Sequence, residues 1–259
     1  MNRKVVIPVF IAFALAVGVF ISFDRVSTWW EYRQTESEKA SILGSFQDAE
    51  IASLASPLLE PEPEKGSEEP VEVDLEIVLP NRVLLDVQFI PQGPLNAGSD
   101  HWDIHAESCE EAASLMVHNY LTDVTVTPQQ AEDAIFDLVD WQKRNFGDEH
   151  DIYPKEVKTM LEDFWGHTDV EIVTINTAND LKALLAAGNP VIAPTIAKHL
   201  HNPRYYDEDY HMIAITGYTP DRFVTNDNGT TYGEDYPYPY NDLLDAIQAT
   251  GGEVIVIHS

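Results

Sequence analysis

The 259-residue chain is poor in cysteine and in basic residues. Its one cysteine excludes an intrachain disulfide and any paired-cysteine zinc or redox site. Fifteen Lys and Arg stand against 44 Asp and Glu, a formal net charge of −29. Nucleic acids and anionic membrane surfaces repel such a polyanion, so neither is expected as the main partner. The sequence also lacks any internal repeat, which argues against a solenoid or a propeller.

What the chain does contain, at its start, is one long apolar run. Val5–Phe23 holds 19 uncharged residues after Arg3 and Lys4, and a helix of that length rises about 28 Å, enough to cross a bilayer core. The only Ala-x-Ala pattern lies inside the run, which favours a retained signal anchor over residues 1–25, with a cleaved signal peptide as the alternative. The short basic tail favours a cytoplasmic N-terminus. We therefore expect a single-pass prokaryotic membrane protein whose remainder is extracytoplasmic.

Residues 26–80 are predicted to be an acidic, proline-containing linker. Between positions 60 and 76 there are eight acidic residues, one lysine and three prolines. Like charges repel and prolines favour extended backbone, so this stretch should be a stiff, solvated spacer. Apolar residues at loosely helical spacing, Ala40, Leu43 and Phe46, allow a short amphipathic helix there but do not establish one.

Residues 81–259 have the pattern of one globular domain, with helical segments first and strand-like segments later. Helices are predicted over 108–121, from Thr127 to Gly147, from Pro154 to Gly166, over 180–187 and over 242–248. Strands are predicted over 83–90, 170–175, 191–196, 212–218, 222–226 and 253–258. This order predicts an α+β fold, in which N-terminal helices pack on a mainly antiparallel sheet.

The single cysteine stands at a predicted helix start. Ser108 and Glu111 form an S-x-x-E capping-box pattern, which places Cys109 at the first helical position. There the helix dipole and unpaired backbone N–H groups favour thiolate over thiol, and the same N–H groups can receive an oxyanion. The charges of Glu110 and Glu111 oppose the thiolate, so a catalytic cysteine would need a cationic partner. A buried structural cysteine is the alternative.

A histidine and an aspartate lie at the ends of two successive predicted strands. His211 precedes the apolar run 212–218, and Asp227 follows the run 222–226, with an Asn-Gly pair behind it that predicts a turn. Two hairpin-connected strands would place these side chains beside each other at one sheet edge. A carboxylate that orients an imidazole, which in turn activates a thiol, is the arrangement that nucleophilic hydrolases use.

Four motifs together resemble a known family. They are Phe-Ile-Pro-Gln-Gly-Pro around Gln92, Ser-Cys-Glu-Glu-Ala around Cys109, Tyr-His-Met-Ile-Ala around His211 and Thr-Asn-Asp ending at Asp227. The chain is similar to the papain-fold cysteine peptidases of family thirty-nine, the bacteriocin-processing type that cleaves double-glycine leaders, and most to the branch of stand-alone exported proteins. The resemblance implies a papain-like cysteine peptidase fold. It also implies that Cys109 is the nucleophile, His211 the general base and acid, Asp227 the orienting group, and Gln92 an oxyanion donor.

The function that the resemblance implies is that of a membrane-anchored thiol hydrolase, a cysteine peptidase that cleaves peptide bonds through a thioester. Glu110 replaces the glycine that commonly follows the nucleophile, and the transporter domains that flank processing peptidases are not in this sequence. A double-glycine leader substrate is therefore not implied. Two alternatives remain: a non-catalytic peptide-binding module on a tether, or a cell-wall amidase or transpeptidase with the same triad. The net charge predicts neutral or basic substrates.

Three further groups of polar residues are candidates for the functional site. His150 and Asp151, in a polar loop between two helices, are weak candidates for substrate binding, with a helix end and turn as the alternative. The segment 198–210, just before His211, is either a substrate-facing lid or a surface loop. No metal or cofactor is predicted, because no ligand pattern joins the remaining candidates, which are His101, Asp103, His105, His199 and His201.

Overall fold

The computed structural model describes residues 33–47, 79–95, 101–147, 151–205 and 209–258. Its helices are α1 (residues 33–47), α2 (Trp102–His105), α3 (Cys109–Thr122), α4 (Pro128–Phe146), α5 (Pro154–Trp165), α6 (Ala178–Ala186), a 3-10 helix (Ala197–Leu200) and α7 (Tyr240–Gln248). Its strands are β1 (Val83–Leu84), β2 (Val170–Thr174), β3 (Val191–Ile196), β4 (Tyr210–Tyr218), β5 (Arg222–Asn226), β6 (Tyr236–Pro239) and β7 (Glu253–Ile257).

The boundaries of two long helices follow from capping residues in the sequence. Gln130 N donates to Thr127 Oγ1 at 3.3 Å and Thr127 N donates to Gln130 Oε1 at 2.9 Å, a reciprocal capping box at the start of α4. Gly147 ends α4 at φ 80°, and Gly166 ends α5 at φ 76°. Glycine adopts this left-handed conformation without a Cβ clash. The predicted starts and ends of both helices are confirmed.

The described strands form one antiparallel sheet in the order β2-β7-β3-β4-β5-β6, with β1 paired to one end of β4. On one side of β4, the register with β3 runs from Val191↔Ile215 to Ile196↔Tyr210. On the other side, Ala214 lies opposite Asn226 of β5. Because β4 and β5 are antiparallel neighbours, the start of β4 and the end of β5 meet at the same edge of the sheet.

The central strand is buried on both faces. Met212 and Ala214 pack with apolar residues of α3, α4 and α5, while Ile213 and Ile215 pack with those of α6 and α7 on the opposite face. A strand covered on both sides reads as a continuous apolar run, as β4 does. The predicted α+β fold with an antiparallel sheet is confirmed, and helices cover both faces of the sheet, not one.

The first predicted strand is much shorter than its alternating pattern indicates. The sequence predicts a strand over 83–90, but β1 ends at Leu84. Val87 N donates to Leu85 O at 2.8 Å, a tight turn that takes the chain off the sheet. From there the backbone leads to Gln92, whose amide contacts the end of helix α2.

A helix lies within the segment predicted to be a linker. In α1 the side chains of Ile42 and Lys39 are buried against the domain, and Lys39 Nζ donates to Tyr232 O at 2.7 Å. Glu38 forms an ion pair with Arg222 of β5. Residues 33–47 are therefore not the solvated spacer that the sequence predicts. They form an amphipathic helix whose Ile42 side chain is buried against the domain.

No helix in the described part of the chain is long and apolar enough to cross a bilayer. The apolar run Val5–Phe23 and the acidic stretch 60–76 lie outside the described residues. The signal anchor and the boundaries of the linker and the domain therefore stay predictions.

The docking of α1 is open to a direct test. Ile42→Asp places a charge where an apolar side chain is buried, a change of about 2 kcal/mol or more, and should release the helix. Hydrogen exchange of the α1 amides is then expected to accelerate at least about tenfold. Ala40→Asp, at an exposed position of the same helix, is the matched control and should leave exchange near wild type. Equal exchange in both variants would contradict the docking.

Candidate active site

The cysteine begins helix α3. Cys109 is the first helical residue, after Ser108, as the sequence predicts. The predicted capping box is wrong, because Ser108 Oγ donates to Ile104 O at 2.8 Å and caps no N–H group of α3. The cause is the short helix α2, which runs almost directly into α3. It holds Ser108 at φ −103° and ψ 29°, outside the extended conformation that N-cap residues need.

Two groups contact the sulfur of Cys109. Met212 N donates to Cys109 Sγ at 3.3 Å, and the thiol donates to Glu110 Oε2 at 3.1 Å. Burial raises the pKa of the Cys109 thiol well above its ordinary value, and the nearby Glu110 raises it further. The resting group is therefore a neutral thiol, not the thiolate that the helix dipole favours.

The imidazole of His211 is held by Asp227. His211 Nε2 lies 2.9 Å from Asp227 Oδ1 at the shared edge of β4 and β5, so the structure brings together the two residues that the strand pattern pairs. This contact leaves Nδ1 as the ring nitrogen available to a thiol. Among the described residues, no hydrogen bond joins Cys109 Sγ to the His211 ring. The thiol points to Glu110 in this state.

Most of the predicted site residues line a single cavity. It has a volume of about 410 Å³, and its lining includes Gln92, Cys109, Asp151 and His211. Asp227 lies behind the His211 ring and is 1% exposed. Of the two weak substrate-binding candidates, Asp151 therefore faces the cavity, whereas His150 lies outside the described residues.

Asp227 is a buried carboxylate with an unusually full set of donors. They are His211 Nε2, the hydroxyl groups of Tyr205 and Tyr238, Asn202 Nδ2 at 3.4 Å and Gly229 N at 3.4 Å. Burial alone would raise the pKa of Asp227, but the hydrogen bonds from His211, Tyr205 and Tyr238 outweigh it, and the pKa lies below its ordinary value. The carboxylate stays ionised and fixed in direction.

Asn228 connects Cys109 to the strand that carries His211. Its Nδ2 donates to Cys109 O at 2.8 Å and to Met212 O at 3.1 Å. Its backbone carbonyl accepts from Gln92 N at 2.9 Å. The side chain is fully buried, and Asn228 and Gly229 lie in a turn, so the predicted Asn-Gly turn is confirmed. The loop from Asp227 to residue 235 connects β5 to β6, and the Asn228 amide is used inside it. The turn-like motif concealed this role.

Gly229 and Tyr205 complete the surroundings of the imidazole. A Cβ on Gly229 would lie 3.0 Å from His211 Cε1 and would collide with the Tyr205 hydroxyl, so only glycine allows this approach. The Tyr205 hydroxyl also lies 3.2 Å from His211 Nε2. Tyr205 belongs to the segment 198–210, predicted as a lid or a surface loop. Its aromatic-rich sequence just before the histidine is the one signal that pointed to it.

Gln92 lies in the cavity wall, but its amide is engaged. Gln92 Nε2 donates to His105 O at 2.7 Å and to Ala106 O at 3.1 Å, while Oε1 is buried without a partner among the described residues. The amide would have to release one of these carbonyls in order to donate to an oxyanion. Its catalytic role stays a prediction.

The scattered histidines do not converge on a metal-binding geometry. His105 is buried and its Nε2 lies 2.8 Å from Glu132 Oε1. His199 and His201 lie at the 3-10 helix on another part of the fold. Within the described ranges, no group of three or more His, Cys, Asp or Glu side chains could hold a metal ion.

Comparison with known proteins adds a family match. Residues 84–254, more than half of the chain, match the Peptidase_C39 like family. This range includes Gln92, Cys109, His211 and Asp227. No curated protein matches the chain.

Solved structures that are similar to the chain include the following three. A C39-like peptidase from Bacillus anthracis aligns with a TM-score of 0.49 and 16% identity, over 68% of this chain and 97% of that one. Xylellain, a cysteine protease from Xylella fastidiosa, has a TM-score of 0.41 and 16% identity over 70% and 87%. A fragment of prointerpain A from Prevotella intermedia has a TM-score of 0.29 and 22% identity over 40% and 32%. Likeness at this level says nothing of activity.

The connection through Asn228 should be visible in stability. Asn228→Ala removes two buried hydrogen bonds, those to the Cys109 and Met212 carbonyls, and we expect it to lower the free energy of unfolding by about 2–4 kcal/mol in urea titrations. Asn145→Ala is the matched control, because Asn145 Nδ2 also donates to a backbone carbonyl, that of Trp141, but on an exposed surface. Its expected cost is under about 0.5 kcal/mol. Similar losses in the two variants would refute the assignment.

Proposed function

Because the chain belongs to the Peptidase_C39 like family, we propose that it is a thiol hydrolase, specifically a cysteine peptidase, with Cys109 as its nucleophile. One observation carries the proposal. Cys109, the only cysteine of the chain and the first residue of α3, lines the same cavity as the His211 imidazole. The buried carboxylate of Asp227 holds that imidazole by Nε2. This is the side-chain set for activating a thiol.

The reaction follows from which atoms are free. The Cys109 proton passes to His211 Nδ1, and Asp227 stabilises the imidazolium through Nε2. The sulfur bonds to the carbonyl carbon of the substrate. The tetrahedral oxyanion accepts a hydrogen bond from the Cys109 N–H at the start of α3, and a second one from the Gln92 amide once that amide releases a backbone carbonyl. His211 returns its proton to the leaving amine as the C–N bond breaks. Water, activated by His211, then hydrolyses the thioester.

The charge around the cavity favours neutral or basic substrates. Among the residues that the structure describes, three carboxylate residues, Glu107, Asp151 and Asp209, line it together with one cation, Arg204. The negative charge of the whole chain acts in the same direction. Such a field raises the local concentration of cationic ligands and repels acidic ones.

Alkylation of the single cysteine tests the proposal without a known substrate. The full chain, purified in mild detergent, is treated with iodoacetamide, and the mass shift on Cys109 is followed in time. We expect His211→Ala to slow alkylation at pH 7 by about 100-fold, because the thiolate loses its base and counter-ion. Wild type should also release new fragments from a mixture of basic peptides, and Cys109→Ala should not. A thiol indifferent to His211→Ala, with identical peptide profiles, would overturn the proposal.

A second candidate function is favoured by the contact that the thiol makes. Among the described residues, Cys109 Sγ is hydrogen-bonded to Glu110 and not to His211. This is expected of a tethered peptide-binding module whose cysteine is no longer activated. Slow alkylation combined with peptide capture in the cavity would support that function. An amidase or transpeptidase with the same triad would be alkylated as fast as a peptidase. Its products would distinguish it, because they would be cross-linked or deamidated cell-wall peptides in place of hydrolysed ones.

We also propose that the N-terminal run Val5–Phe23 anchors the chain in a membrane, with the domain on the extracytoplasmic side. Its length and apolarity support this. The full chain is then expected to stay with membranes after alkaline carbonate extraction and to be digested by protease added to spheroplasts. A version that begins at residue 26 should appear in the soluble fraction. Extraction of the full chain by carbonate, or its protection in intact spheroplasts, would contradict the anchor or the orientation.

A further inference from the structure

Glu110 is the polar group nearest to the sulfur, and its position is fixed from both sides. It is the second residue of α3 and is 1% exposed. Its Oε2 lies 3.1 Å from Cys109 Sγ, while its Oε1 accepts from Ile152 N at 3.2 Å. The Tyr210 hydroxyl donates to Ile152 O at 3.2 Å and holds that loop in place. The carboxyl group therefore cannot turn away from the sulfur without breaking a backbone contact.

The groups that face Glu110 are themselves acids. They are Cys109 and Glu111 on its own helix, Asp151 on the loop before α5, and Tyr210 on β4. In the described part of the chain, no Lys or Arg forms an ion pair with it. Burial and the charge of Asp151 raise the pKa of Glu110, whereas the hydrogen bond from the Cys109 thiol lowers it, and the net pKa is about 8. A carboxyl group with this pKa is mostly protonated at neutral pH.

We propose that Glu110 is a catalytic residue, a neutral acid that donates its O–H to the Cys109 thiolate. The inference rests on the thiol chemistry proposed above and adds a residue to it. It also explains how an acidic residue can follow the nucleophile. An ionised Glu110 would repel the thiolate, whereas a protonated one stabilises it with a charge-assisted hydrogen bond.

The proton transfer balances without any further group. In the resting state the thiol donates to Glu110 Oε2. When the S–H bond breaks, its proton goes to His211 Nδ1, and the carboxyl of Glu110 keeps its own proton. The sulfur, which already accepts from the Met212 N–H 3.3 Å away, then also accepts from the Glu110 O–H. Protonated carboxyl groups in apolar sites can act as donors in this way at pH 7.

Two variants at two pH values test the proposal through iodoacetamide alkylation of the full chain. At pH 6.5, Glu110→Ala removes the donor and should be alkylated about 10- to 100-fold more slowly than wild type. Glu110→Gln keeps a weaker donor and should lie between the two. At pH 9.5 the wild-type carboxyl is ionised and repels the thiolate, so Glu110→Gln should now be faster than wild type, by about tenfold. This crossing of the two rates is the expected result.

Two other outcomes would overturn the proposal. If both variants are alkylated faster than wild type at both pH values, Glu110 is ionised throughout and only opposes the thiolate. If the ratio of Glu110→Gln to wild type is the same at both pH values, Glu110 does not titrate in this range. Glu111→Gln is the matched control, because Glu111 is the next residue, equally buried, and has no hydrogen bond to the sulfur. Its change in alkylation between the two pH values should be much smaller.

A spectroscopic readout separates this proposal from the proposed function. The infrared difference between wild type and Glu110→Gln should contain the carbonyl band of a protonated carboxyl at pH 7, and the band should vanish near pH 9. If no peptide is hydrolysed but the band is present and the alkylation rates cross, the peptidase function fails and the role of Glu110 at the sulfur stands. Absence of the band at pH 7 refutes the role, whatever the alkylation rates are.

The pH dependence of stability gives a second such measurement. A buried acid whose pKa is raised in the folded protein binds its proton more tightly than in the unfolded chain. Ionising Glu110 therefore destabilises the folded protein. This loss of stability is absent at pH values below the ordinary pKa of a glutamate and grows as the pH rises towards about 8. The urea midpoint of wild type should therefore fall between pH 5.5 and pH 8.5 by more than that of Glu110→Gln. Equal falls would contradict a neutral Glu110.

Discussion

The site depends on one buried carboxylate, that of Asp227. Removing a charge from water is costly, and a buried carboxylate persists only where donors replace its hydration. Here the donors come from separate parts of the chain: His211 from β4, Tyr238 from β6, and Tyr205 and Asn202 from the segment after the 3-10 helix. Satisfying the carboxylate therefore draws these segments to the edge of the sheet and fixes the imidazole in the cavity wall.

The first turn of α3 is a second place where polar groups are buried, and here their neutrality matters. Cys109, Glu110 and Glu111 are all inside the protein, and burial raises the pKa of each. The chain is strongly acidic as a whole, yet burial next to its sulfur favours the protonated form of these acids. The contrast with Asp227, whose pKa is lowered by its donors, separates the two carboxyl roles. One is an ionised orienting group, and the other is a neutral donor.

The sequence allows the fold to be predicted where the determinants are local. Helix α4 begins at Thr127 and ends at Gly147 because capping depends on neighbouring residues, and the apolar run of β4 is visible directly. His211 and Asp227 could be paired because one hairpin connects them. Asn228 could not be assigned, since its partners Cys109 and Met212 are distant in sequence. The docking of α1 likewise depends on tertiary contacts that periodicity does not report. The Ser108 cap fails for a local reason, because the hydroxyl donates to Ile104 O of the preceding short helix α2.

The central claim is that Asp227 fixes His211 by Nε2 and leaves Nδ1 to exchange a proton with the thiol. Nitrogen-15 NMR of the histidine rings tests this most directly, with the His211 signals assigned by their loss in a His211 variant. The account predicts that Nε2, which faces Asp227, carries a proton at neutral pH. A ring protonated on Nδ1 and not on Nε2 would contradict it.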